Sequence, residues 1–326
     1  MEKAAFGSLG WKASRLGLGT MPLAIQGRPS EADAIRVIHR ALDAGINWLD
    51  TADSYCLDDG ETGYGERLVA RALREWTGGD RDAVVVMTKG GWRRPKGEWV
   101  VDGDPARLRR ACEASLAALG VPAIALYLLH APDAKVHFAD SLGALVDLQR
   151  EGKIQHIGLS NVDVGHIEEA EKIAVIRTVQ NRFNVFDRFS LAYGVVDHCA
   201  RQNIAFVAHS VVGGHQGKIR AGESEALKAV AARRGLTPHQ VALLWVLAKA
   251  PRAFAIPGAR RVESLDANLA AAAQSLAPED MALLAAAFPP ATAPRRALVR
   301  ARDELRRVRR QVEHRLAKGQ GGNVDA

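Results

Sequence analysis

Ile124-Ala125-Leu126-Tyr127-Leu128-Leu129-His130 is an unbroken apolar run that stops on a histidine. A strand covered on one face alternates apolar and polar residues. A continuous run is what a parallel sheet buried on both faces requires. The same pattern recurs at Leu16–Gly19, Trp48–Asp50, Ala83–Lys89, Ile154–Ser160, Ile176–Gln180, Ile204–His209 and Ala253–Pro257. Amphipathic stretches with helix signals lie between these runs. Ser30 followed by Asp33 is an N-cap pattern, and Asp104-Pro105 and Thr237-Pro238 each place a capping residue before a helix-starting proline. Gly152 and Gly235 follow helical stretches as C-terminal stops.

Eight β-then-α units result, and that order demands a parallel sheet. Closed and doubly wound open sheets both satisfy it. Eight units within about 290 residues fit the closed barrel, which spends about 250 residues on one domain. The predicted fold class is α/β: a (β/α)8 TIM barrel with a short N-terminal hairpin and an added C-terminal helix. The hairpin-like stretch Ala4–Ser14 would plug the barrel floor. The predicted division is a barrel over residues 1–288 and a basic extension over 289–326.

The 326 residues include 44 Lys+Arg and 37 Asp+Glu, for a formal charge of +7. Such a balance raises nucleic acid as a partner. However, the stretch from residue 289 onward holds ten basic and four acidic residues, which is +6 of the +7. The barrel portion is nearly neutral. Leu298, Ala301, Leu305, Val308 and Val312 follow 3-4 spacing, the stripe of a helix packed on the barrel or on a second copy. No aromatic residue in that tail could stack on a base, so no specific nucleic-acid partner is expected. Three widely spaced cysteines (Cys56, Cys112, Cys199) make no disulfide framework and no C-x-x-C zinc pair. Reduced thiols, no apolar leader and no run of 18 apolar residues predict a cytoplasmic protein without a membrane partner.

Several motifs fail. Gly17-Leu18-Gly19 opens a dinucleotide fingerprint, but Pro22 stands at its third glycine. Gly217-Lys218 resembles the end of a phosphate loop, but Ile219 replaces the Mg²⁺-binding hydroxyl. Neither H-E-x-x-H nor G-x-S-x-G occurs, and no metal site is predicted.

Barrel enzymes carry their chemistry at the C-terminal ends of the strands. Here those ends read Asp50 with Tyr55 shortly after, Lys89, His130, Ser160-Asn161 and Gln180. Singly, each has an ordinary reading as a cap, a solvated edge lysine, a loop contact or a packing ring. Together at one mouth they suit acid–base chemistry on a carbonyl. Tyrosine titrates near 10, too high for a ready acid–base group. A nearby ammonium favours phenolate, and a carboxylate orients the ammonium. Asp50, Lys89 and Tyr55 would form such a chain, with His130 donating to the substrate oxygen.

These residues, with Gly17–Met21, Asp50–Tyr55, Thr88-Lys89-Gly90, Gly158–Asn161, Gln180-Asn181 and Ile256–Arg260, resemble the aldo-keto reductase family over residues 5 to 287. The resemblance implies an NADP-dependent oxidoreductase that binds NADP(H) without a dinucleotide fold and reduces a small-molecule carbonyl. Tyr55 would be the proton donor, Lys89 and Asp50 would tune it, and His130 would orient the substrate. Ser160, Asn161 and Gln180 would hold the nicotinamide carboxamide. Arg260, with Arg261 beside it, would pair with the 2′-phosphate, and Asn268 would contact the adenine end. Gly19, Thr20, Met21, Ser210, Val211, Gly213, Lys218, Gly258 and Ala259 complete the implied cofactor shell.

The sequence departs from the family pattern after the seventh strand. There His209-Ser210-Val211-Val212-Gly213-Gly214 stands where the family commonly has an aromatic residue, then Ser-Pro-Leu-Gly. His209 would then stack on the nicotinamide. Ser264 falls where some members have a second phosphate-binding arginine. Trp92 and Met21-Pro22-Leu23 would wall the substrate pocket. A second reading keeps the barrel as a slow-turnover nicotinamide-binding regulatory subunit, with the C-terminal helix as its contact or as a homo-oligomer interface.

Overall fold

The computed structural model describes residues 3–289, apart from the side chains of residues 215–218. The expected C-terminal helix lies outside the described residues.

The strands β1 (Lys3–Ala5) and β2 (Lys12–Ser14) form an antiparallel hairpin. The main sheet comprises β3 (Leu18–Gly19), β4 (Trp48–Asp50), β5 (Val85–Gly90), β8 (Ile124–Leu129), β9 (Ile154–Ser160), β10 (Ile176–Arg182), β11 (Ala205–His209) and β12 (Phe254–Ala255), every neighbour parallel. A small hairpin, β6 (Trp92–Arg93) with β7 (Val100–Val101), follows β5. The sheet closes on itself. Parallel bridges join Leu16 to Ala255 and Gly19 to Gly258, and the Gly17 amide donates to the Ala255 carbonyl at 2.9 Å.

The apolar runs foretell this barrel closely. Trp48–Asp50 and Ile154–Ser160 coincide with observed strands. The sixth barrel strand runs on to Arg182, past the expected end at Gln180. The first and last are only two residues long, because the seam replaces regular pairing by single bridges. Pro257 has no N–H to extend β12. Gly17 is required at this seam: a Cβ there would sit 2.5 Å from the Trp48 indole.

Each strand is followed by helix. α1 (Glu31–Asp43), α2 (Tyr64–Glu75), α3 (Pro105–Leu119), α4 (Phe138–Arg150) and α5 (Val164–Glu171) follow the first five barrel strands. The short α6 (Phe189–Ala192) and α7 (Val195–Arg201) follow β10. α8 (Gly214–Glu223), α9 (Glu225–Arg234) and α10 (Pro238–Lys249) follow β11, and α11 (Val262–Ala272) and α12 (Pro278–Ala287) follow β12. The expected caps form. Ser30 accepts from the Asp33 amide, Asp104 from the Arg107 amide, and Thr237 builds a reciprocal box with Gln240. Gly152 and Gly235 take left-handed φ of 74° and 64°.

α1 shows how the outer ring docks: Ala34, Ile35, Val37, Ile38, Ala41 and Leu42 form its buried stripe. The N-terminal hairpin covers the barrel floor. Phe6 stacks on Trp11 at 4.5 Å and packs on Trp48 and Phe254 beneath the strands. With the floor sealed by aromatics, the strands' C-terminal mouth is where polar side chains gather. All three cysteines are buried and free.

Candidate active site

Asp50 ends β4, and the turn after it brings Tyr55 back over the mouth, with the Tyr55 amide bonded to the Ala52 carbonyl at 3.1 Å. Lys89 lies next to the last residue of β5, the neighbouring strand. Its Nζ donates to Asp50 at 2.8 Å, to the Thr51 carbonyl at 2.8 Å and to Tyr55 Oη at 3.0 Å. Those are all three protons of an ammonium. Lys89 is 0% and Asp50 1% exposed, so the pair is out of water.

Burial pulls the Lys89 ammonium down, but the Asp50 charge and the Tyr55 contact outweigh it and hold the pKa above normal. Burial pushes the Asp50 carboxyl up, and Lys89 and Gln180 pull it back in part. Tyr55 departs from the sequence expectation. Lys89 does favour its phenolate, but burial is the larger effect and the phenol ends above its ordinary value. Tyr55 therefore keeps its proton at neutral pH. Because its oxygen accepts from Lys89, that proton is free to point elsewhere.

His130 follows β8, and its ring meets Tyr55 edge-on at 5.9 Å. Among the described residues its Nδ1 has no hydrogen-bond partner. Burial first, then the charge of Lys89 and the proximity of His209, depress its pKa far below normal, so the imidazole is neutral. Trp92 packs against the other side of His130 at 6.0 Å and against Trp99 at 5.8 Å.

The expected carboxamide group is assembled at the same mouth. Asn161 Nδ2 donates to the His130 carbonyl at 2.9 Å and to Ser160 Oγ at 3.1 Å. His209 faces Asn161 Oδ1 through Nε2 at 3.2 Å and Ser210 Oγ through Nδ1 at 3.0 Å. Asn161 and Ser210 both hold left-handed backbone, at φ 57° and 52°. Side chains other than glycine take that region at a cost, and such outliers cluster at functional sites. Gln180 lies at the same mouth and also makes a contact the sequence did not show. Its Nε2 donates to Asp50 Oδ1 at 2.7 Å, so it braces the Asp50–Lys89 pair.

Across the barrel seam, Pro22, Gly27, Pro29, Gly258, Ala259, Arg260, Arg261 and Ser264 line a cavity of about 460 Å³. It opens at the N-terminus of α11, whose capping position, Arg261, supplies no side-chain acceptor. Uncapped amides and a helix dipole make such an end an anion site. Arg260 is poised beside it, donating to the Pro22 and Gln26 carbonyls at 3.3 and 2.9 Å. A Cβ on Gly258 would lie 2.5 Å from Pro22, so the cradle wall needs glycine there. Gly19 is buried in β3, Thr20 Oγ1 donates to the Asp50 carbonyl at 2.9 Å, and Met21 is exposed beside them. Val211 is buried, and Gly213 is the N-cap of α8 with a left-handed φ of 79°. Asn268 is half-buried on α11, beyond Ser264. The Lys218 side chain lies outside the described residues.

Some participants escaped sequence reasoning. The Thr51 carbonyl is a main-chain partner with no residue-type signal. Glu66 is fully buried on α2 and accepts from Thr88 Oγ1 at 2.6 Å, just behind Lys89. Arg94 and Gln26 meet across two loops. Among the described residues no group of three or more His, Cys, Asp or Glu is placed to hold a metal ion, and no helix is long and apolar enough to cross a membrane.

A closed (β/α)8 barrel thus carries a buried Tyr–Lys–Asp chain and a neutral histidine at its mouth, an arrangement suited to acid–base chemistry. A model of the aldo/keto reductase family matches residues 15–288, and the chain belongs to that family. It is 35% identical over 290 residues to pyridoxine 4-dehydrogenase of Escherichia coli (strain K12), covering 85% of this chain and 96% of that protein. Solved structures agree. The holo form of the aldo-keto reductase AKR11C1 from Bacillus halodurans is 26% identical with a TM-score of 0.72, over 90% of this chain and 98% of that one. An aldo-keto reductase from Klebsiella pneumoniae in complex with NADPH is 25% identical with a TM-score of 0.74, over 90% and 97%.

Proposed function

We propose that this chain is an NADP(H)-dependent reductase of aldehydes and ketones, with Tyr55 as proton donor, and that ring carbaldehydes of the pyridoxal class are among its substrates. The carrying observation is Lys89 Nζ bonded at once to Asp50 and to Tyr55 Oη inside a buried site. The pyridoxal class comes from the likeness to pyridoxine 4-dehydrogenase.

The residues present fit the cofactor. The Arg260–Arg261 cradle and the open end of α11 offer a planar guanidinium and free amides to a 2′-phosphate. Ser160 and Asn161 offer a hydroxyl and an amide to a carboxamide, with His209 beside them. A bound reduced nicotinamide supplies the hydride that adds to the carbonyl carbon. As charge builds on the carbonyl oxygen, Tyr55 gives up its phenolic proton to it. The Lys89 ammonium, already hydrogen-bonded to the phenol oxygen, stabilises the phenolate left behind. Asp50, braced by Gln180, keeps Lys89 charged and aimed. Neutral His130 offers a ring N–H to the same carbonyl oxygen. Oxidation of the alcohol is the reverse, with the phenolate taking the proton.

Tyr55→Phe keeps the ring and removes the proton. It is expected to lower carbonyl-dependent NADPH oxidation by about 10²–10⁴-fold, the usual worth of a positioned acid. Unchanged turnover would defeat the reading. Because Tyr55 sits above its ordinary value and His130 far below its own, kcat for reduction is expected to stay flat through neutral pH. It should fall only in the alkaline range where the phenol ionises. A limb between pH 6 and 7, the range of an ordinary histidine, counts against this arrangement.

A further inference from the structure

The loop after β5 contains a buried cation with an unusual set of partners. Arg94 is 1% exposed, yet among the described residues its guanidinium forms no ion pair with a carboxylate. It donates instead to neutral oxygens on three different loops: Gly97 O at 2.8 Å, Gln26 Oε1 at 2.9 Å and Leu57 O at 3.3 Å, all from Nη2. Nε reaches Gly97 O again at 3.2 Å, and Nη1 has no partner. Gln26 closes the ring by donating to Leu57 O at 3.1 Å. The main chain of Arg94 is fixed too: its amide donates to Asp59 Oδ1 at 2.6 Å, and its carbonyl accepts from the Asp59 amide at 3.0 Å. Burial lowers its pKa, outweighing Asp58 and Asp59, which lie near enough to favour its charge. Burying a charge without a carboxylate bonded to it is costly, so retaining one there needs a compensating role.

What the guanidinium supports is on the page. Its Cζ lies 4.0 Å from the centroid of Trp99. Trp99 meets Trp92 edge-on, Trp92 meets His130, and His130 meets Tyr55. A single file of rings thus runs from the clamp to the proton donor. Trp99 is 41% exposed, so this contact is made at the rim of the loop.

We propose that Arg94 is a positioning residue that sets substrate specificity: by clamping the loops after β3, β4 and β5 it fixes the Trp99–Trp92 wall, and that wall selects flat ring carbonyls over small aliphatic ones. This rests on the reductase reading above and narrows its substrate class. Arg94 acts through Trp99 and need not touch the substrate. A planar fork is what three converging carbonyl oxygens and an indole face require, and an ammonium does not supply it.

The test uses the full chain with Arg94→Met, Arg94→Lys and Trp99→Leu, and compares pyridine-4-carbaldehyde with propanal. Each substitution is expected to lower the preference for the ring aldehyde by at least about tenfold, the loss appearing in KM rather than kcat. Arg94→Met is also expected to raise acrylamide quenching of tryptophan emission, and adding Trp99→Leu should remove that gain. An unchanged preference ratio, a loss confined to kcat, or full retention by Arg94→Lys overturns the proposal. Unchanged quenching in Arg94→Met overturns it as well. Trp99 is exposed, so Trp99→Leu still decides the matter if Arg94→Met does not fold. If the unsubstituted chain reduces no carbonyl, the reductase reading fails, and quenching alone then judges the clamp.

Discussion

At the scale of single residues, the site depends on which charges are balanced. Lys89 is fully matched by Asp50 and by two oxygens, so its charge survives burial. Asp53, three residues past Asp50, is not. It is buried, its Oδ1 has no partner among the described residues, and burial together with the Glu66 carboxyl pushes it up to about 8. Ser54 and Arg107 offset this only in part. A carboxyl raised in the folded state costs nothing at a pH where the unfolded chain is also protonated. As pH climbs from about 4 towards 8 the unfolded chain ionises and the folded one resists, so stability falls across that window. Asp53→Asn removes the titration while keeping the shape. It is expected to gain stability over the unsubstituted protein between pH 5 and pH 9, by an amount on the order of a few kcal/mol. Denaturant titrations at those two pH values check this, and a gap that does not widen with pH refutes it.

At the scale of elements, the last described helix is held by a different kind of pair. Asp280 on α12 is 1% exposed and accepts from Arg233 at 2.7 Å and from Arg234 Nε at 2.6 Å, both on α9. Burial would raise its pKa. The Arg234 bond, the Ala277 amide and the two cationic charges outweigh burial and leave it lowered. That stabilisation is present above the ordinary carboxyl range and is lost as pH falls through the lowered value. Asp280→Ala leaves two guanidiniums without their acceptor, and is expected to cost about 1–3 kcal/mol near neutrality. The difference should shrink in acid below about pH 4. Thermal melts at pH 7 and pH 3 give the comparison. Turnover should persist, since α9 and α12 lie away from the mouth residues.

At the scale of the whole molecule, charge and chemistry are segregated. The catalytic mouth belongs to a nearly neutral barrel, and +6 of the +7 follows residue 288. Whether the basic extension packs on the barrel or on a second copy is decided by truncation. Ending the chain at Pro289 with turnover preserved and assembly lost by light scattering would assign the extension to contact between copies. Lost turnover would instead place the extension over the pocket.

The strands were legible because a doubly buried strand must be apolar throughout; the longer apolar run Val241–Ala248 is set apart by the Thr237-Pro238 helix start before it. The capping signals at Ser30, Asp104 and Thr237 were legible because they are local. The ends of β3 and β12 were not, because pairing at the seam depends on where the barrel closes. Among the site residues, Asp50, Tyr55, Lys89 and His130 could be named because each ends a strand or follows one. That they touch is a matter of register and closure: parallel neighbours β4 and β5 bring Asp50 and Lys89 together across 39 residues, and the curling of the sheet brings Gln180 on β10 to Asp50 across 130. The direction of the Tyr55 shift could not be read in advance. The sequence shows a cation nearby but not how much water is excluded, and exclusion is the larger effect. Arg94 was hidden for the same reason. In sequence it is one arginine of a basic loop. Only the folded chain buries its guanidinium without a contacting carboxylate and sets it against Trp99. The sequence by itself determined the barrel, the four residues at its mouth and the separate basic tail, since periodicity, strand ends and charge are local properties. The tertiary structure alone decided the protonation states and the loop clamp, because desolvation and long-range contact exist only once the chain has closed.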